Sequence, residues 1–192
     1  MFDSKKAIQL LVYLIQYRGG MTEVNMALAI VWLSDRRHFR QYGISITGDH
    51  YIATEHGIFP ASVYRMIRNS VFSPGIKAYY DQHLNMVQQD ILKAMKHFDN
   101  KILSTAEIKC TREICEAVSK LAKEEITAIK NFFSEWANYQ PFTDATKCKM
   151  HRIDDLDFLP DIDKHIKNSK LIEIFSNERD DVLNSDNLKS RI

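Results

Sequence analysis

Five residues within one stretch of this chain are of types that do acid–base or metal chemistry: Asp35, His38, Asp49, His50 and His56. Two carboxylates and three imidazoles would serve a hydrolytic site or a zinc ion if they converged. Their spacing does not force convergence. His50 and His56 are six apart across a turn, and Gly48-Asp49 is turn chemistry in its own right. The plainer reading is that Asp49 accepts hydrogen bonds from turn amides, while Asp35 and Arg36 pair with the hairpin that follows. A second set, Arg36, Arg37, Arg40, Arg65 and Arg68, is locally basic and of a type that contacts phosphates. Cys110 and Cys115 share a helix face without a second pair, which does not make a zinc site. No GxGxxG, Walker, GxSxG or HExxH pattern occurs. The sequence therefore predicts no catalytic residue, no metal and no cofactor.

The elements that position these residues can be read from periodicity. A helix over about 4–18 is capped by Asp3 or Ser4 and ended by Gly19-Gly20. A second, over about 22–42, is wholly apolar from Met26 to Leu33 and buries Trp32. Gly43 suits the left-handed position after it. Ile44–Thr47 and His50–Thr54 read as a hairpin turning at Gly48 and Asp49. Pro60 starts a third helix, about 60–69. The stripe Tyr80, Leu84, Val87, Ile91, Met95, Phe98 predicts a helix over 76–98. Ile102–Ile108 suggests a strand, 111–138 one or two helices packing through Phe132, Phe133 and Trp136, and 143–151 a short helix. After an acidic loop around Pro160 comes a helix over about 161–176 and a polar, mobile tail from Asn177. The fold class expected is mainly α with a small antiparallel hairpin.

Composition narrows the partners. A net charge of +1 gives no bulk reason to expect nucleic acid or a membrane surface, and 45% hydrophobic residues suffice for a core. Three cysteines without CxxC fit a reducing cytoplasm. The helix–helix–hairpin order imitates a winged helix with the 44–54 hairpin as wing. Its second helix is too apolar for a recognition helix, so nucleic acid binding is not expected.

The segment Met26–Ile67 resembles the Panacea domain of the SocA-like antitoxins. The matching residues are Leu33, Asp35, Arg36, His38, Tyr42, Gly43, Ile46, Thr47, Gly48, Asp49, Tyr51, Ala53, Gly57, Pro60 and Tyr64. Ala29 stands where the family usually has lysine, Trp32 replaces tyrosine, and Ile58 replaces a proline. A weaker likeness runs through Leu121–Tyr139, with His151 at a recurrent histidine. The resemblance implies a mostly helical domain over 1–158, with 159–192 outside it. It also implies an antitoxin that neutralises a protein toxin by contact, in some members handing it to a protease, without turnover. On that reading Asp35, His38, Gly43, Thr47, Gly48, Gly57, Pro60 and Tyr64 are structural. Arg36, Phe39, Arg40, Asp49, His50, Tyr51 and Glu55 would form the toxin-binding surface, preorganised by the hairpin. A DNA-binding autoregulator is the alternative, and a small hydrolase a more distant one.

Overall fold

In a computed structural model, the structure describes residues 1–54, 57–68, 73–121, 125, 133, 150–153 and 158. Asp3 caps helix α1, Ser4–Tyr17, by accepting from the Lys6 amide. Ala7 through Ile15 are all buried, so α1 is a central helix rather than a half-wet one. Past Gly19-Gly20 the chain forms a short strand β1, Met21–Glu23, and enters α2, Val24–Tyr42. Gly43 closes α2 at φ 73° and donates its amide to the Phe39 carbonyl, as the sequence predicts.

The expected hairpin is displaced by one strand. Residues 44–47 do not pair as a strand, because the Ile46 and Thr47 amides donate to the Asp35 carboxylate instead. The hairpin formed is β2, Tyr51–Thr54, with β3, Gly57–Pro60. The turn at Glu55 and His56 lies outside the described residues. A third strand, β6, Met150–Ile153, joins β2 on its other side, giving the order β3-β2-β6. Residues 150–151 are thus strand where helix is expected. Gly48 nevertheless adopts the positive φ, 64°, that its place in the sequence predicts.

Helix α3, Ala61–Ile67, follows directly, with Pro60 as its N-cap residue. The single helix expected over 76–98 is replaced by α4, Pro74–His83, then β4, Leu84–Gln88, and β5, Ile91–Ala94. Val87 and Met95, two members of the supposed stripe, are exposed. β5 pairs with β1 across some seventy residues of chain, so the sheet order is β1-β5-β4. The strand expected over 102–108 is likewise absent. Ser104 and Glu107 make a reciprocal capping box that starts α5, Thr105–Ser119. The fold is therefore α with two three-stranded antiparallel sheets, more β than one hairpin. No helix among the described residues is long and apolar enough to cross a membrane.

One core unites these parts. α1 and α2 supply its largest share, α5 packs on both, and Phe133 and Phe158 close it from later in the chain. The expected packing of Phe132 and Trp136, the acidic loop, the helix over 161–176 and the tail from Asn177 lie outside the described residues.

Gly48 gives a direct test of the corrected local structure. A Cβ there would stand 2.9 Å from the Met1 carbonyl carbon and closer still to its oxygen, on a backbone at φ 64°. Gly48→Val should destabilise the protein by about 2 kcal/mol or more, read as a lower urea midpoint. An unchanged midpoint would mean that the N-terminus does not pack on this turn.

Candidate functional site

The residues singled out by the sequence gather around two buried carboxylates. Asp35, on α2, has no exposed surface. Its Oδ1 accepts from the Ile46 amide at 2.8 Å and the Thr47 amide at 3.0 Å. Its Oδ2 accepts from the Thr47 hydroxyl and from the Tyr51 hydroxyl. Four donors meet four lone-pair positions, so nothing is left with which to activate a water or hold a metal. Burial pushes the Asp35 carboxyl up, and its hydrogen bonds only partly pull it back, leaving it at about 6. The same burial, with the Asp35 charge beside it, pushes the Tyr51 phenol well above its ordinary value.

Asp49 does the equivalent work one turn later. Its carboxylate accepts from the Ser62 and Val63 amides at 2.8–2.9 Å, and from its own neighbour His50 at 2.8 Å. It caps α3 from a distance, in the place where Pro60 has no capping side chain to offer. The expectation that Asp49 serves backbone amides holds, although two of the three belong to α3 rather than to a turn. Asp35 thus ties Ile46, Thr47 and Tyr51 to α2, and Asp49 ties the start of α3 to the loop that carries it.

The exposed polar face expected of Arg36, Arg40, Asp49 and Tyr51 does not form. Tyr51 is fully buried, and Arg36, Arg40 and Asp49 nearly so. The reason is packing from later in the chain. The Arg36 guanidinium lies over the Phe133 ring, 4.5 Å from its centre. Arg40 donates to the Phe158 carbonyl at 3.0 Å, and the Phe158 ring meets Tyr51 edge-on at 5.1 Å. Phe39 is half-buried against the same Phe158 ring. His50 is partly exposed with Nδ1 3.4 Å from Asp49, and Glu55 lies outside the described residues. Tyr51→Ala and Arg40→Glu are therefore core changes rather than surface probes.

Of the motif residues, His38 has the more specific task. Its Nδ1 donates to the Ile44 carbonyl at 2.6 Å, and its ring lies tilted against Tyr42, 4.6 Å between centres at 40°. It thereby pins the two residues flanking Gly43. Those two are the outward ones: Tyr42 is 48% and Ile44 62% exposed. Periodicity gave no sign of this pair, since each breaks the buried pattern of its element. Tyr64 is also exposed, at 41%. Among the described residues no three of His, Cys, Asp and Glu are placed to share a metal ion. Cys115 is buried, and desolvation pushes its thiol up to about 12.

The state of Asp35 has a consequence for stability. The folded carboxyl holds its proton to higher pH than the unfolded chain does. Its contribution is therefore complete below about pH 4 and is lost as pH rises through about 6. The stability difference between the native protein and Asp35→Asn should shrink by about 3 kcal/mol between about pH 4 and about pH 7 in urea melts. A difference that stays constant would show that burial does not govern this carboxyl.

Compared with known families, the chain matches the family described as antitoxin SocA-like, Panacea domain, over residues 30–137. No curated protein and no solved structure matches it.

Proposed function

The chain belongs to the SocA-like antitoxin family, by its Panacea domain, and from that premise we propose that it neutralises a cognate protein toxin by direct, stoichiometric contact in the cytoplasm. The match over residues 30–137, more than half the chain, is the observation that carries this reading. The chemistry agrees with it. The two carboxylates that could have supported catalysis are consumed by backbone amides and hydroxyls. What they leave is a rigid loop with apolar residues at its outer edge.

We place the toxin contact at that edge, on Tyr42 and Ile44, with His50 nearby in sequence. The αL residue Gly43, the His38 ring and the Asp35 hydrogen bonds hold this edge before any partner arrives. An aromatic and an aliphatic side chain on a fixed backbone lose little entropy on docking and are of the type that anchors interfaces. The buried motif residues would then be the scaffold and not the contact.

The test is a growth assay with the product of the neighbouring small open reading frame. Coexpression of the native chain should restore growth that the neighbour's product alone abolishes. Tyr42→Asp with Ile44→Asp should lose this protection while the chain remains folded and abundant. Protection unaffected by the double change would move the contact elsewhere. No toxicity from the neighbour would remove the basis for the reading.

A further inference from the structure

The order α1, β1, α2, α4, β4, β5, with β5 between β1 and β4, is that of a winged helix. Residues 43–73, carrying β2, β3 and α3, are an insertion between its second and third helices. The wing is therefore the β4–β5 hairpin rather than the 44–54 segment. The helix that leads into the wing is α4, not the apolar α2 that argued against DNA binding.

α4 has the right division of faces. Tyr80 and His83 are buried, and Tyr79 is tied by its hydroxyl to Gln9 of α1. Lys77, Ala78, Asp81 and Gln82 face outward. Its ten residues give a rod about 15 Å long, and the diameter of a helix, about 10–12 Å, suits a major groove about 12 Å wide. Basic residues stand beside it and at the wing. Lys96 donates to Gln82 of α4 at 3.3 Å, and Arg68 donates at the wing tip to Asp90 at 2.7 Å and to the Gln89 carbonyl. Residues 61–96 hold Arg65, Arg68, Lys77, Lys93 and Lys96 against only Asp81 and Asp90, in a chain of net charge +1. The ion pairs Arg68–Asp90 and Lys77–Asp81 are solvent-exposed, and such pairs are weak enough for phosphates to compete for the cations.

We propose that this face binds double-stranded DNA, α4 entering the major groove while Arg65, Arg68 and Lys96 contact the phosphate backbone on either side. This is a second surface, separate in sequence from the Tyr42–Ile44 edge, and it stands whether or not that edge meets a toxin.

The test is fluorescence anisotropy of the full chain with a labelled mixed-sequence duplex of about 30 base pairs, from about 50 to about 200 mM salt. Binding should weaken with a log–log slope of about −3 to −4. Lys77→Glu and Arg65→Glu should each lower affinity about tenfold or more at the lower salt and flatten the slope. Both positions are exposed, and unchanged melting curves verify the fold. Lys109→Glu makes the same charge change on α5, where the side chain is 62% exposed, and should alter affinity by less than about threefold. Absence of binding at the lower salt overturns the proposal. So does an equal loss on Lys109→Glu, which would mean that only net charge matters. Competition by poly-glutamate as effective as by unlabelled duplex would assign the face to acidic polypeptides instead, and also overturns it.

Discussion

Asp35→Ala is expected to be the most damaging single change, costing about 3–5 kcal/mol and leaving little folded protein at body temperature. One carboxylate satisfies the Ile46 and Thr47 amides and the Thr47 and Tyr51 hydroxyls, all in a site with no exposed surface. Removing it orphans four donors at once, and water cannot reach them without opening α2 from the loop. An unmet buried donor costs about 1–3 kcal/mol, with some relief as hydroxyls find other partners. Asp35→Asn keeps one acceptor and should cost less, although its amide hydrogens now face two hydroxyls. The check is a urea melt of the three proteins, with loss ordered alanine, then asparagine, then native. A cost below about 1 kcal/mol for alanine would mean the loop is held by other contacts.

Trp32→Ala is expected to follow, at about 3–5 kcal/mol. The indole is 1% exposed and meets the Phe133 ring edge-on, 5.0 Å between centres at 78°. The loss has two parts: the cavity left in the α1–α2 core, and an aromatic contact of about 0.5–1.5 kcal/mol beyond area burial. It should also loosen the seat of Arg36, whose guanidinium stacks on the same Phe133 ring. Trp32→Phe keeps a ring and should recover most of the stability. An unchanged melting temperature for the alanine variant would show that Phe133 does not close the core at this point.

These two positions also mark what could be read from residues alone. α1, the burial of Trp32, the left-handed Gly43 and Gly48, the pairing of Asp35 with the segment after α2 and the service of Asp49 to amides all follow from local patterns, and all are present. Local pattern fails where distant chain decides. The Arg36 and Arg40 side chains look like the solvated end of a helix until Phe133 and the Phe158 carbonyl arrive from about a hundred residues away. The Ile44–Thr47 segment has strand composition, yet a side-chain carboxylate on α2 takes its amides. The stripe from Tyr80 to Phe98 fits a helix, but β5 is claimed by β1, a pairing no window of sequence contains. The capping box Ser104–Glu107 was a local signal and would have placed the start of α5. The exposed pair Tyr42 and Ile44 could not be found by periodicity, because both are marked by not joining the core.

On the function proposed above, the buried motif residues are scaffold and the Tyr42–Ile44 edge is the contact. Titration calorimetry of the purified cognate toxin into native chain, the Tyr42→Asp, Ile44→Asp variant and Asp49→Asn tests it most directly. The edge variant should melt within a few degrees of native yet lose at least about a hundredfold in affinity, or about 2.7 kcal/mol. Asp49→Asn should melt lower but bind with near-native affinity below its transition, since its carboxylate holds α3 and meets no partner. The opposite pattern, with the edge variant binding normally and Asp49→Asn failing to bind while folded, would move the contact from the Tyr42–Ile44 edge to the buried loop.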